Sequence, residues 1–277
     1  MNVLQLTDIA IQAALSAGEI IQQYMHKEVT VEQKESGHSY AAQVVTAVDR
    51  ACEASILTHL QPTCKDFELA LLSEETEDDG SRFEKAFFWC IDPMDGTLPF
   101  IKKQAGFAVS IALVAHDGSP HIGVVFDPST HTLYHAIKGH GVYKNNKIWH
   151  RPPVNDYLTY VTDRSLKDTP QLAKVENYLQ QVVAQFNWNG VREMAGGGSV
   201  INAIRVLENG PACMLKLPKK EKGGGCIWDF AATACIFQEL GWPATDFEGG
   251  KLDLNKKEDP FMNHQGILYT NFVDTAK

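Results

Sequence analysis

Apolar positions near the start of the chain recur at helical intervals. Leu6, Ile9, Ala13, Ala17, Ile20, Ile21 and Tyr24 fall on one side of a helix predicted from Leu4 to about His26. The stretch from Gln33 to Gln43 is polar, contains Gly37 and Ser39, and reads as a loop. A second helix is predicted from Thr46 to about Leu60, capped by Thr46 or its neighbour, with Pro62 just past its end. The pattern then changes to short apolar runs between charged loops. Phe67 to Leu72 and Ala86 to Ile91 suit strands buried on both faces. Phe107 to Ala115, Ile122 to Phe126, Thr132 to Ile137 and Gly141 to Tyr143 follow at short intervals. Turn signals at Asp117-Gly118, Asp127-Pro128, Lys138-Gly139 and Asn145-Asn146 separate them and predict an antiparallel meander.

Pro152-Pro153 is a natural boundary. Beyond it the types alternate: strand Tyr157 to Thr162, helix Pro170 to Phe186, strand Gly190 to Met194 and helix Ser199 to Leu207. Strand Ala212 to Leu217, helix Ile227 to Leu240 and strand Gly266 to Thr270 complete the series. The reading is a mixed α/β protein of two sheet-containing halves, residues 1–153 and 154–277, without internal repeats.

At 277 residues and 44% hydrophobic content, the chain can bury a full core without disulfides. Its six cysteines form no C-x-x-C pair and lie mostly in apolar runs, so buried free thiols are expected rather than a zinc site. A formal net charge of −9 argues against a nucleic acid polymer as partner. It does not exclude a phosphorylated small molecule, because bound cations reverse a local field. No signal peptide and no bilayer-spanning stretch is evident, so a cytoplasmic protein without membrane association is expected.

Candidate chemistry concentrates in Trp89-Cys90-Ile91-Asp92-Pro93-Met94-Asp95-Gly96-Thr97. An apolar strand delivers Asp92 at its exit, Pro93 stops the strand, and Asp95 follows on the same turn. Gly96 allows close backbone approach, and Thr97 can open a helix whose free N–H groups favour an anion. Asp-Pro and Asp-Gly are also ordinary turn formers, but the full D-P-x-D-G-T combination after a strand is more specific. Glu74, in Ser73-Glu74-Glu75-Thr76, sits against a strand end and is placed to point inward, whereas Glu77, Asp78 and Asp79 read as solvated surface. Asp229 opens an apolar helix in Trp228-Asp229-Phe230-Ala231-Ala232, where a plain capping role is the alternative. Asp49, in Val45-Thr46-Ala47-Val48-Asp49, stands in a helix first turn and could simply answer its dipole.

Together these four ordered elements resemble the inositol monophosphatase superfamily, which includes inositol phosphatases, 3'(2'),5'-bisphosphate nucleotidases and, more distantly, fructose bisphosphatases. The likeness extends to Gly123-Val124-Val125-Phe126-Asp127-Pro128 and Lys138-Gly139-x-Gly141, and so spans nearly the whole chain. It implies a layered αβαβα sandwich and a magnesium-dependent phosphomonoesterase with two to three Mg2+ ions. Glu74, Asp92 and the Met94 carbonyl are implied to hold one ion, Asp92, Asp95 and Asp229 a second, and Glu74 with waters a weaker third. Thr97, with either Glu74 or Asp49, is implied to orient or deprotonate the attacking water. Gly96 and Thr97 would cradle phosphate, and Gly198-Ser199 would line the substrate pocket. Lithium inhibition is a further family expectation.

The likeness thins at substrate choice. Where the inositol-specific branch carries an acid seven residues before the W-D aspartate, this chain has Lys222, in a basic run with Lys216, Lys219 and Lys220. A cation there suits a second phosphate, although a solvated charged loop is an equal reading. Leu252-Asp253-Leu254 and Phe261-Met262-Asn263 also lean toward the bisphosphate nucleotidase branch, while Pro99 stands where the family often has Asn. An inositol or sugar phosphatase, and a non-catalytic binding protein on the same fold, are the alternatives. The oligomeric state is left open, a homodimer included. Gly196-Gly197-Gly198 is followed by no P-loop lysine, and His131, His135 and His140 lack zinc spacing and read as surface residues.

Overall fold

Helix α1 (Val3–Tyr24) begins the chain, with the Asn2 side chain accepting the Gln5 N–H at 3.2 Å as its N-cap. The computed structural model describes residues 1–25, 31–33, 44–162, 166 and 170–272, with the side chains of 31–33 and 44–46 outside that description. Residues 34–43, most of the stretch read as a loop, lie outside it, as does the side chain of Thr46. Two short strands, β1 (Val31–Gln33) and β2 (Val44–Thr46), pair antiparallel ahead of helix α2 (Ala47–Asp66).

A seven-stranded sheet follows: β3 (Ala70–Ser73), β4 (Phe87–Asp95), β5 (Ala108–Ala115), β6 (Pro120–Asp127), β7 (Thr132–Ile137), β8 (Gly141–Lys144) and β9 (Lys147–Ile148). They lie in chain order; β3 and β4 are parallel, and the rest form the antiparallel meander. The second sheet has the order β11-β10-β12-β14-β13, from β10 (Leu158–Thr162), β11 (Val191–Ala195), β12 (Ala212–Lys216), β13 (Ala244–Thr245) and β14 (Ile267–Thr270). Helix α3 (Thr97–Ile101) leaves β4, α4 (Leu172–Gln185) joins β10 to β11, and α5 (Ser199–Glu208) and α6 (Ile227–Glu239) flank β12 in sequence.

Alternating side chains set the layers. Trp89, Ile91, Val109, Ile111, Val124 and Phe126 face α1 and α2 in one core. Phe88, Cys90, Ala112, Val114 and Val125 face the other way, onto Val200, Phe230, Ala231 and Ala234 of α5 and α6. Those two helices are covered on their far side by Val161, Met214 and Tyr269 of the second sheet, whose outer face packs on Val175 and Leu179 of α4. The result is an αβαβα sandwich. Helix α6 lies so close to β6 that a Cβ on Gly123 would come within 2.3 Å of the Ala232 carbonyl oxygen.

Four local expectations change. Helix α2 continues through Pro62 to Asp66, because Pro62 is exposed in the last turns, where water can serve the unpaired carbonyl. The next strand starts at Ala70 rather than Phe67, since Glu68 adopts a left-handed φ of 54° as the chain leaves the helix. Pro93 does not end β4, which continues to Asp95. His135 is a core residue rather than a surface one, its ring stacked on Tyr143 at 4.8 Å. All six cysteines are free thiols, and no described helix is long and apolar enough to cross a membrane.

Candidate active site

The ladder between β4 and β5 pairs Asp92 with Ser110, then shifts register and resumes at Asp95 opposite Ala108. Residues three apart in an unbroken strand face opposite sides of a sheet. The bulge at Pro93-Met94 re-aims the chain so that both carboxylates turn into one buried point. Asp229, in the first turn of α6, joins them: Asp92, Asp95 and Asp229 each offer an oxygen within 4.8 Å of the others.

Each acid is held differently. Asp92 Oδ1 accepts the Met94 N–H at 3.1 Å, while its buried Oδ2 has no hydrogen-bond donor. Asp95 accepts the Ser199 N–H at 3.1 Å and the Val200 N–H at 2.9 Å, so it caps α5 with both oxygens. Asp229 Oδ2 accepts the Cys226 N–H at 3.0 Å. The capping alternative weighed from sequence is therefore also present: Asp229 braces its own helix and belongs to the cluster. Glu74 follows β3 directly, its N–H bonded to the Ile91 carbonyl at 3.2 Å. Its carboxylate acts on Asp92 electrostatically from beside the three-acid group.

Thr97 opens α3 behind Gly96, its N-cap. The Thr97 hydroxyl donates to Asp49 Oδ1 at 3.1 Å, with the Met94 carbonyl oxygen 3.4 Å away. Asp49 is buried at 3% exposure in the first turn of α2. One helical turn on, Glu53 is also buried and accepts a short bond from the Ser73 hydroxyl, next to Glu74. Sequence reasoning passed over Glu53, although acids four apart on one helix were a readable signal.

Gly198 and Ser199 meet the acids rather than open space. A Cβ on Gly198 would lie 2.2 Å from Asp95 Oδ2, and the Ser199 N–H is bound to that carboxylate. Val200, absent from the sequence-derived set, supplies the second N–H. Lys222 places its ammonium 3.4 Å from Asp259 and 5.6 Å from the Phe261 ring. Lys216, at the end of β12, has its ammonium 5.8 Å from the ring of Phe230, next in sequence to Asp229, and its charge acts to lower the Asp95 pKa.

Burial and mutual repulsion dominate the electrostatics. Burial first, then the repulsion of the Glu74, Asp95 and Asp229 carboxylates, hold Asp92 well above the ordinary carboxylate range. Burial and Asp229 push Asp95 up to about 8, against the opposing pull of the Val200 N–H, Lys216 and the Ser199 N–H. At an effective dielectric near 20, two carboxylates ~4 Å apart repel by roughly 4 kcal/mol. Fully ionised, the cluster needs a counter-cation. Three hard oxygen donors, two from the bulged end of β4 and one from the first turn of α6, and an Asp92 oxygen without a donor, fit a divalent cation such as Mg2+.

An αβαβα sandwich thus brings acids together where a strand bulge meets a helix start. Residues 2–275 match the model of the inositol monophosphatase family. The chain is 27% identical over 283 residues to the inositol-1-monophosphatase of Bacillus subtilis strain 168, covering 99% of this chain and 97% of that protein. It is 31% identical over 228 residues to the 3'(2'),5'-bisphosphate nucleotidase CysQ of Escherichia coli strain K12, covering 79% and 82% respectively. The inositol monophosphatase structure from Anabaena superposes with a TM-score of 0.68 at 24% identity, covering 98% of this chain and 92% of that one, a likeness of fold. The chain belongs to the inositol monophosphatase family, whose phosphatases use divalent metal ions.

Proposed function

We propose that the chain hydrolyses a phosphate monoester on a small metabolite bearing a second anionic group, of the 3'(2'),5'-bisphosphate nucleotide type. The observation that carries hydrolysis is the meeting of Asp92, Asp95 and Asp229 beside the Thr97–Asp49 hydrogen bond. In this reading Glu74, Asp92, the Met94 carbonyl, Asp95 and Asp229 hold Mg2+ in two to three positions. The cation supplies Lewis-acid chemistry and screens the phosphoryl charge.

The protein's own groups do the rest. Thr97 donates its hydroxyl hydrogen to Asp49, which leaves oxygen lone pairs to accept from an attacking water. Buried Asp49 keeps the hydroxyl turned that way and draws the water's proton toward Thr97. As the water oxygen bonds to phosphorus, the water gives one proton to the Thr97 oxygen while the Thr97 hydroxyl hydrogen passes to Asp49. The ester P–O bond breaks with its electron pair on the alcohol oxygen, which takes a proton from solvent water. The Gly96 and Thr97 N–H groups are assigned to the phosphoryl oxygens. Of the two partners considered for Thr97, its hydrogen bond favours Asp49 over Glu74.

The second anionic group is assigned to the basic run. Lys216 acts on Asp95 through its charge, and Lys222, on a long flexible stem, can exchange Asp259 for a substrate phosphate. The match to the Escherichia coli nucleotidase supports this choice. The match to the Bacillus enzyme over nearly the whole chain supports an inositol or sugar monophosphate as the second reading. A comparison of kcat/KM for adenosine 3',5'-bisphosphate and inositol 1-phosphate with saturating Mg2+ decides. The expected result is at least about a tenfold preference for the bisphosphate, or 1.4 kcal/mol; a preference for inositol 1-phosphate overturns it.

A further inference from the structure

Arg82 is buried to 1% exposure, although it lies on the loop that carries the chain away from Glu74. Its Nε donates to Asp78 Oδ2 at 2.8 Å, its Nη1 to Asn255 Oδ1 at 2.6 Å and its Nη2 to the Lys256 carbonyl at 2.8 Å. The guanidinium also lies over the Phe83 ring, 4.0 Å from its centroid. Three acceptors around one planar fork are a geometry that lysine cannot reproduce. Asp78, expected from sequence to be solvated surface but half-buried as the partner of Arg82, belongs to the Glu74 loop, whereas Asn255 and Lys256 belong to a distant segment near the C-terminus.

That later segment continues from Lys256 across the start of α6. The Pro260 carbonyl accepts the Ile227 N–H at 2.9 Å, and the Met262 N–H donates to the Gly225 carbonyl at 2.9 Å. These bonds grip both neighbours of Cys226, the N-cap of the helix whose first turn carries Asp229. A route of bonds and short chain segments thus leads from the Glu74 loop through Arg82 to Asp229.

We propose that Arg82 is a positioning residue for the acid cluster. By clamping residues 255–262 to the loop behind Glu74, it holds Asp229 and Glu74 at the spacing at which they share divalent cations with Asp92 and Asp95. The inference rests on reading the cluster as the cation site. Arg82 reaches the cluster only through the parts of the chain it holds. Without the fork, the Asn255 and Lys256 acceptors lose their donor and the segment loses its registration on the Glu74 loop.

The test is Mn2+ binding, followed by loss of the free-ion EPR signal, on wild type, Arg82→Lys and Asn255→Ala. Glu239→Gln serves as the comparison, because Glu239 braces the Gly139 and Gly141 N–H groups, at 2.9 and 2.8 Å, away from the clamp. Both clamp variants should bind Mn2+ about tenfold more weakly, the range found when groups supporting metal ligands are removed. The Mg2+ concentration for half-maximal phosphatase activity should rise in parallel. Glu239→Gln should melt earlier with Mn2+ affinity unchanged. Clamp variants that melt earlier but bind Mn2+ as wild type does would overturn the proposal and leave Arg82 a structural residue. If Arg82→Lys fails to fold, Asn255→Ala decides alone. A wild type that binds no Mn2+ overturns the cation-site reading itself, and with it this one.

Discussion

Asp92 has the least compensated charge in the cluster: one oxygen takes the Met94 N–H and the other has no donor. Asp92→Asn keeps the first contact and turns an N–H2 toward the remaining carboxylates. In EDTA this variant should be more stable than wild type by about 1.5–3 kcal/mol, the worth of a hydrogen bond to a charged group. With Mg2+ present the order should reverse, and turnover should be lost. Thermal melts in the two buffers check this; a variant less stable in EDTA would show that repulsion is not what the site endures. Thr97→Val removes only the hydroxyl, so kcat should fall at least about 100-fold while Mn2+ binding persists. Steady-state kinetics beside a Mn2+ titration separates the two effects. The D-P-x-D-G-T spacing made Asp92, Asp95 and Thr97 legible as a group. The partner of Thr97 was not legible, because Asp49 lies 48 positions away and only a folded hydrogen bond selects it over Glu74.

Helix α5 shows why a correct element still misleads about its use. Gly-Gly-Gly-Ser before an apolar repeat announced the helix start but left open what the start would meet. Its first two N–H groups take the Asp95 carboxylate, so the helix dipole steadies a protein acid. Gly198→Ala should drive a methyl into that carboxylate and displace it. A displacement near 1 Å costs on the order of 100-fold in rate. An activity assay with a melting curve checks this; near-wild-type activity would place the Asp95–α5 contact outside the working site. The bulge in β4 belongs to the same lesson. Pro93 signalled an interruption, and reading it as a strand end was reasonable, since proline removes one ladder bond. Whether the chain leaves the sheet or kinks and resumes is decided by β5, which offers Ala108 to Asp95.

Across the molecule, the acid cluster ties stability to pH and to metal. The folded-state pKa of Asp95, about 8, lies above its ordinary value of 3.8, as does that of Asp92. A carboxylate raised in this way contributes stability that is fully present below about pH 4. The contribution is lost as pH rises toward 8, because folding then confines charges that the unfolded chain disperses. In EDTA the melting temperature should therefore fall between pH 5 and 8.5. With Mg2+ the fall should vanish or reverse, since metal binding displaces the same protons. Parallel slopes in the two buffers would count against the cluster as the site of linkage.

The main helices, the meander and the acids were written into the local sequence, because periodicity and turn chemistry act over a few residues. The convergence of those acids was not. Asp229 reaches Asp92 and Asp95 only because α6 lies against β6 beneath a second sheet, and Asp95 meets α5 only when the layers close. Such contacts depend on packing between distant segments, and residue spacing alone does not encode it.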